Sequence, residues 1–174
     1  MGAKSTATQY GSVAILIHWA SALIVIVAWG IGITLDKFSP TPPALLVVHM
    51  VLGVLVLLLT LMRIVWFIVA DRRPAAPEGD PRLQRIAAKV VHVLLYAVLL
   101  LLPISGIATA VTAGVLPAIT SGGAVPSFEG NQILQVHTAE GIFFVLLFVG
   151  HVGAALYHQV IKRDRLLARM GVGA

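Results

Sequence analysis

Four long apolar stretches alternate with short polar segments along this chain, at roughly 13–35, 44–70, 86–113 and 137–161. A helix rises about 1.5 Å per residue, so about 20 apolar residues cross the ~30 Å hydrocarbon core of a bilayer. Each stretch is long enough, and each predicts a transmembrane helix. A basic residue followed by an apolar run also opens a secretory signal, and Lys4 precedes the first stretch. That run exceeds the apolar region of about 7–15 residues in such signals, and no small-x-small cleavage site follows it. A retained span is the expectation. The segments between are punctuation: DKFSPTPP at 36–43, DRRPAAPEGDPRLQR at 71–85, and a Gly/Pro/Ser-rich stretch at 114–136 whose one charge is Glu129. Proline clusters of this kind cannot continue a helix. Pro103 falls in the middle of the third stretch and predicts a kink there. No internal repeat aligns. The expected fold is an all-α membrane protein, a single four-transmembrane-helix bundle over residues 1–174.

The distribution of lysine and arginine orients the bundle. Lys4, the group Arg72, Arg73, Arg82, Arg85 and Lys89, and the tail residues Lys162, Arg163, Arg165 and Arg169 all fall on one side of a four-span topology. Only Lys37 falls on the other. Positive loops stay in the cytoplasm, so both termini are expected there, in a multi-pass membrane protein. Composition agrees: 59% of the 174 residues are hydrophobic and 11% charged, with mean hydropathy +0.97. The net charge of +5 is therefore topological and does not predict a nucleic-acid partner. The absence of cysteine excludes disulfides, thiolate metal sites, cysteine-bound iron–sulfur clusters and covalent c-type haem.

The chemistry lies in six histidines. His137, His151 and His158 share the fourth stretch at spacings of 14 and 7 residues, which returns each ring to within about 40° of one helix face. His137 and His151 are thereby about 21 Å apart along the axis, one towards each side of the membrane. The topology sorts the others by depth. His49 begins the second span and lies with His137 at the outer level. His18, His92, His151 and His158 lie at the inner level. Neutral imidazole is a common metal ligand, and two from facing helices clamp a six-coordinate haem iron. His49 with His137 makes an outer metal-ligating pair. At the inner level His18 pairs with His151, with His92 a rival partner on depth alone. Gly53 and Gly141 each follow an outer histidine by four residues, on the same helix face, and leave room for a flat cofactor. Arg63 follows His49 by 14 residues and brings a guanidinium to the inner level, suited to a haem propionate or to lipid headgroups.

These residues resemble the bacterial cytochrome b561 family over essentially the whole chain. The resemblance is carried by Tyr10 before His18-Trp19, HMVLG at 49–53 with Arg63, KVVHVLLY at 89–96 with LPISG at 102–106, His137-Thr138-x-Glu140, and the step from His151 to His158. It implies two b haems, the inner held by His18 and His151 and the outer by His49 and His137. It also implies that His158 belongs to a ubiquinone or quinol site near the cytoplasmic surface. Some members oxidise superoxide at the periplasmic face and pass the electron to ubiquinone. Others serve as membrane electron-transfer subunits for a periplasmic dehydrogenase or hydrogenase, and the neutral 114–136 loop offers a face to such a redox protein. Superoxide would be steered by a positive outer surface, and here this sequence departs, offering Lys37 against Asp36, Glu129 and Glu140.

The expected function is electron transfer across the membrane with quinone exchange at the cytoplasmic side. A proton or metal-ion transporter lined by the histidines is the alternative from another class. It would need carboxylates along its path, and only Glu140 lies near a span.

Overall fold

The computed structural model describes residues 2–76, 79 and 81–173. Among them the chain is all-helical, without strands. Its elements are α1 (Ser12–Leu35), α2 (Pro43–Val69), α3 (Arg82–Thr112), the short α4 (Val115–Thr120) and α5 (Gln132–Leu156). A π-helical turn at Tyr157–Lys162 and a 3₁₀ turn at Leu166–Met170 complete the tail. Four helices are long and apolar enough to span a membrane, the last running from Gln132 to Lys162. Around the bundle α1 packs on α2, α2 on α3, and α3 on α5.

Local chemistry sets the helix limits. Pro43 opens α2 at a position that needs no intrahelical N–H. The Asn131 side chain caps α5, accepting from the Ile133 and Leu134 amides at 3.0 and 3.1 Å. This cap starts the fourth span at Gln132, ahead of the apolar run at 137. Likewise α3 begins at Arg82, directly after Pro81, because charged residues that reach water can extend a helix past the membrane. α3 runs on without a break through Pro103. Hydroxyls inside the spans bond back to their own helices: Ser21 to the Ile17 carbonyl, Thr60 to Val56 and Thr109 to Ser105. No hydroxyl of these three is left bare in an apolar medium.

The core is layered. Val25, Val56, Val98 and Phe144, one from each span, form an apolar cluster. Val25 lies seven residues after His18, Val56 midway between His49 and Arg63, and Phe144 midway between His137 and His151. The cluster therefore separates the two histidine levels by about 10 Å of helix rise on each side. A second cluster of Leu46, Ala110, Val115 and Val125 closes one end. Val115 and Val125 come from the 114–136 stretch and pack on Leu46 of α2 and Ala110 of α3. Gly114 adopts φ 68°, a left-handed turn that suits glycine. That turn aims α4 inward and leaves Val115 wholly buried.

The opposite end is tied by both chain termini. Asp71 accepts from the Ser5 amide at 2.9 Å, the Ser5 hydroxyl at 2.7 Å, the Arg72 amide and the Trp66 indole. Burial pushes the Asp71 carboxyl up, but these four donors outweigh it and hold the group below its usual range. The tail crosses the same end: Arg169 donates to the Thr8 and Ala75 carbonyls, and Trp19 donates to the Met170 carbonyl.

Candidate functional site

The fold brings the histidines together at two levels. At the level remote from the chain termini, the outer level of the expected topology, His49 of α2 and His137 of α5 face each other with ring centroids 6.1 Å apart and planes at 87°. At the inner level His18 of α1 and His151 of α5 stand 6.3 Å apart at 73°. His92 of α3 lies 5.2 Å from His151. Two imidazoles that each bind one metal through a nitrogen at about 2 Å have centroids about 6.2 Å apart, because each centroid lies about 1.1 Å behind its ligating nitrogen. The 6.1 and 6.3 Å pairs fit a metal between them. The His92–His151 separation is about 1 Å shorter than that spacing.

The outer rings are held from behind. His49 Nδ1 donates to the Ala28 carbonyl at 2.9 Å, and His137 Nδ1 donates to the Leu102 carbonyl at 2.9 Å. With its hydrogen on Nδ1, a neutral imidazole keeps the Nε2 lone pair for a metal, and such backing hydrogen bonds are usual for ligating histidines. The Ser105 hydroxyl lies 3.1 Å from His137 Nδ1 and donates to the Glu140 carboxylate. Two glycines make the room. A Cβ on Gly32 would sit 3.0 Å from His49 Cε1, and one on Gly106 would sit 2.9 Å from His137 Cε1. By contrast a Cβ on Gly53 or Gly141 would meet no protein atom within 4 Å, which fits a flat group lying beside them.

Charge concentrates at the inner level. The Arg63 guanidinium donates to His18 Nδ1 at 2.7 Å, and its buried Nε has no hydrogen-bond partner. Arg63 and Arg73 both stack against the Tyr96 ring, at 5.9 and 5.3 Å. An unpartnered buried guanidinium nitrogen calls for an anion, and a carboxylate such as a propionate fits that need. Ligation through His18 Nε2 would require the hydrogen on Nδ1, hence release of the Arg63 contact. The outer donor set suits a bis-histidine haem as it stands, and the inner set suits one with Arg63 turned from His18 to a carboxylate.

Residues 9–173 match the family model of prokaryotic cytochrome b561. The chain belongs to this family. It is 27% identical to cytochrome b561 homolog 2 of Escherichia coli (strain K12), over 98% of this chain and 95% of that one. It is 30% identical to the probable superoxide oxidase CybB of Yersinia pestis, over 93% and 95% of the two chains. A cytochrome b562 of Cereibacter sphaeroides is also 30% identical, over 92% and 94%. Membership implies a b-type haem and electron transfer in a bacterial membrane.

In this cytochrome b561 chain His158 sits apart from the four paired histidines. It lies in the π-helical turn after α5, 6% exposed, between Gln84 of α3 and Asp164 of the tail. Sequence reasoning named His158 and Arg63, carried Tyr96, Ser105 and Gly106 only as members of quoted motifs without a role, and missed Gly32, Gln84 and Asp164. Their roles depend on what another element presents. The one available signal was Ser105, a polar residue inside an apolar run next to glycine.

Proposed function

We propose that this chain is a di-haem b-type cytochrome that carries electrons across the inner membrane and exchanges them with quinone at its cytoplasmic end. His49 and His137 hold the outer haem; His18 and His151 hold the inner one. The observation that carries this reading is the pair of 6.1 and 6.3 Å histidine spacings, each a metal's width and each at its own level. When bound, the haems would supply one-electron exchange at iron, held by these four imidazoles.

The chain's own residues do the rest. The Ala28 and Leu102 carbonyls fix the outer rings with Nε2 forward. Gly32 and Gly106 admit those rings, while Gly53 and Gly141 leave the porphyrin edge free. Arg63, whose buried Nε lacks a partner, would hold a carboxylate at the inner site. Val25, Val56, Val98 and Phe144 keep water out between the levels. Both termini face the cytoplasm by the excess of lysine and arginine at that end. There His158 serves the quinone, since imidazole exchanges protons as electrons move. At the outer face the exposed Lys37 stands against exposed Asp36 and Glu129. This balance favours a redox protein as the electron-transfer partner there over steering of anionic superoxide.

The test is the reduced-minus-oxidised visible spectrum of detergent-purified protein, with haem quantified per chain. About two low-spin haems per polypeptide are expected from two bis-histidine sites. Alanine at His49 or His137 should remove one, alanine at His18 or His151 the other, and His92→Ala should retain both. A colourless protein that takes up no added haem would end the reading. Loss of the inner haem in His92→Ala with its retention in His18→Ala would overturn the inner pairing.

A further inference from the structure

The tail after α5 is folded to place one carboxylate on one histidine. Arg163 and Arg165 both adopt left-handed backbone angles, φ 55° and 56°, a conformation that costs non-glycine residues energy and recurs at functional sites. Between them the chain doubles back, so that the Asp164 amide donates to the His158 carbonyl at 3.2 Å. The Asp164 carboxylate accepts from His158 Nδ1 and from the Leu166 amide at 3.2 Å, with the Lys162 ammonium 3.8 Å away. It also lines a cavity of about 470 Å³ bounded by Ala7–Gln9, Ala75, Ala76 and Arg169. The other ring nitrogen of His158 meets the Gln84 side-chain amide nitrogen.

An amide nitrogen donates and does not accept, so the Gln84 nitrogen against Nε2 makes that ring atom an acceptor. The ring hydrogen then lies on Nδ1, towards Asp164. We propose that Asp164 is the positioning residue that fixes His158 as a hydrogen-bond acceptor, so that the site selects the hydroxyl-bearing quinol over the quinone. The Gln84 N–H is the donor that the quinol hydroxyl replaces. A quinone presents only acceptor carbonyls, and two acceptors facing each other leave both unpaired. The inference rests on the quinone reading above and extends it: the same histidine, held by the same carboxylate logic that orients catalytic imidazoles in general, discriminates redox forms by binding alone.

The experiment uses haem-loaded full-length protein, fully reduced and anaerobic, with ¹⁵N-labelled histidine. Two probes inert towards the reduced protein replace the substrate: a short-chain methoxy-substituted hydroquinone and its dimethyl ether, which lacks the hydroxyl donors. Without probe, the His158 resonances should report Nδ1–H and a bare Nε2 in the wild type and in Asp164→Glu, and lose that preference in Asp164→Asn. The hydroquinone should bind about tenfold or more tightly than the ether, the factor expected of one buried hydrogen bond. Asp164→Asn should erase the difference, and Gln84→Ala should tighten hydroquinone binding. A wild-type His158 that carries its hydrogen on Nε2, or on both nitrogens, would overturn the positioning role. Equal binding of the two probes would overturn the selection. Binding of neither probe would overturn the quinone reading and the selection with it, while the ring resonances would still decide the role of Asp164.

Discussion

Replacing Gly106 with alanine tests the outer histidine pair without touching a ligand. The new Cβ would stand 2.9 Å from His137 Cε1 and 3.2 Å from Nδ1. Ordinary contact begins near 3.4 Å, so the ring must retreat by about 0.5 Å, beyond the ±0.2 Å or so within which metal–ligand distances are held. Retreat is opposed by the hydrogen bond from Nδ1 to the Leu102 carbonyl, which comes from the turn of α3 just before Gly106. Overpacking of this kind costs roughly 1–3 kcal/mol, which corresponds to about a fivefold to 150-fold loss of affinity. Gly32→Ala should act on His49 in the same way at 3.0 Å. The assay is a haem titration of the apoprotein followed by visible spectra of the two sites, with a potentiometric titration of whatever loads. Each variant should weaken or shift only the outer haem and leave the inner one unchanged. Wild-type occupancy and an unmoved outer potential in both variants would refute the placement of these rings at a metal.

Other consequences are checked more simply. Arg63→Gln removes a buried positive charge beside the inner pair and should lower the inner potential by roughly 70 mV, as one charge about 10 Å away implies at an effective dielectric near 20, leaving the outer potential in place; a redox titration reads both. Asp71, whose carboxyl is held below its usual range, contributes stability that is fully present above the ordinary carboxylate value and is lost as pH falls through the depressed one. Thermal unfolding in detergent should therefore show a wild-type advantage over Asp71→Asn at neutral pH that shrinks on acidification below pH ~4. Asn131→Ala removes the α5 cap and should cost about 1 kcal/mol in the same unfolding assay, with the haem spectra unchanged.

How much of this was legible beforehand follows from the range of each interaction. Span number, helical class and the sorting of histidines into two levels are written in composition and spacing, because a bilayer imposes one length and one solvent on every stretch. The start of α5 was misplaced because Asn131 acts through its cap, which an apolar run does not display. Residues 114–136 read as a neutral loop, yet Val115 and Val125 become core once Gly114 turns the chain inward. Depth alone leaves His18 and His92 equal as neighbours for His151. Only the rotation and approach of three helices separate a 6.3 Å gap from a 5.2 Å one.

The sequence by itself determined that this chain crosses a membrane four times and carries imidazoles at two depths, since hydrophobicity and helical rise are one-dimensional quantities. Tertiary structure decided which imidazoles face each other and what backs them. Ala28, Gly32, Leu102 and Gly106 act through a carbonyl or a missing side chain. Gln84 and Asp164 reach His158 from 74 residues before it and 6 after it. Such contacts depend on directions in space, and directions are fixed only when the helices pack.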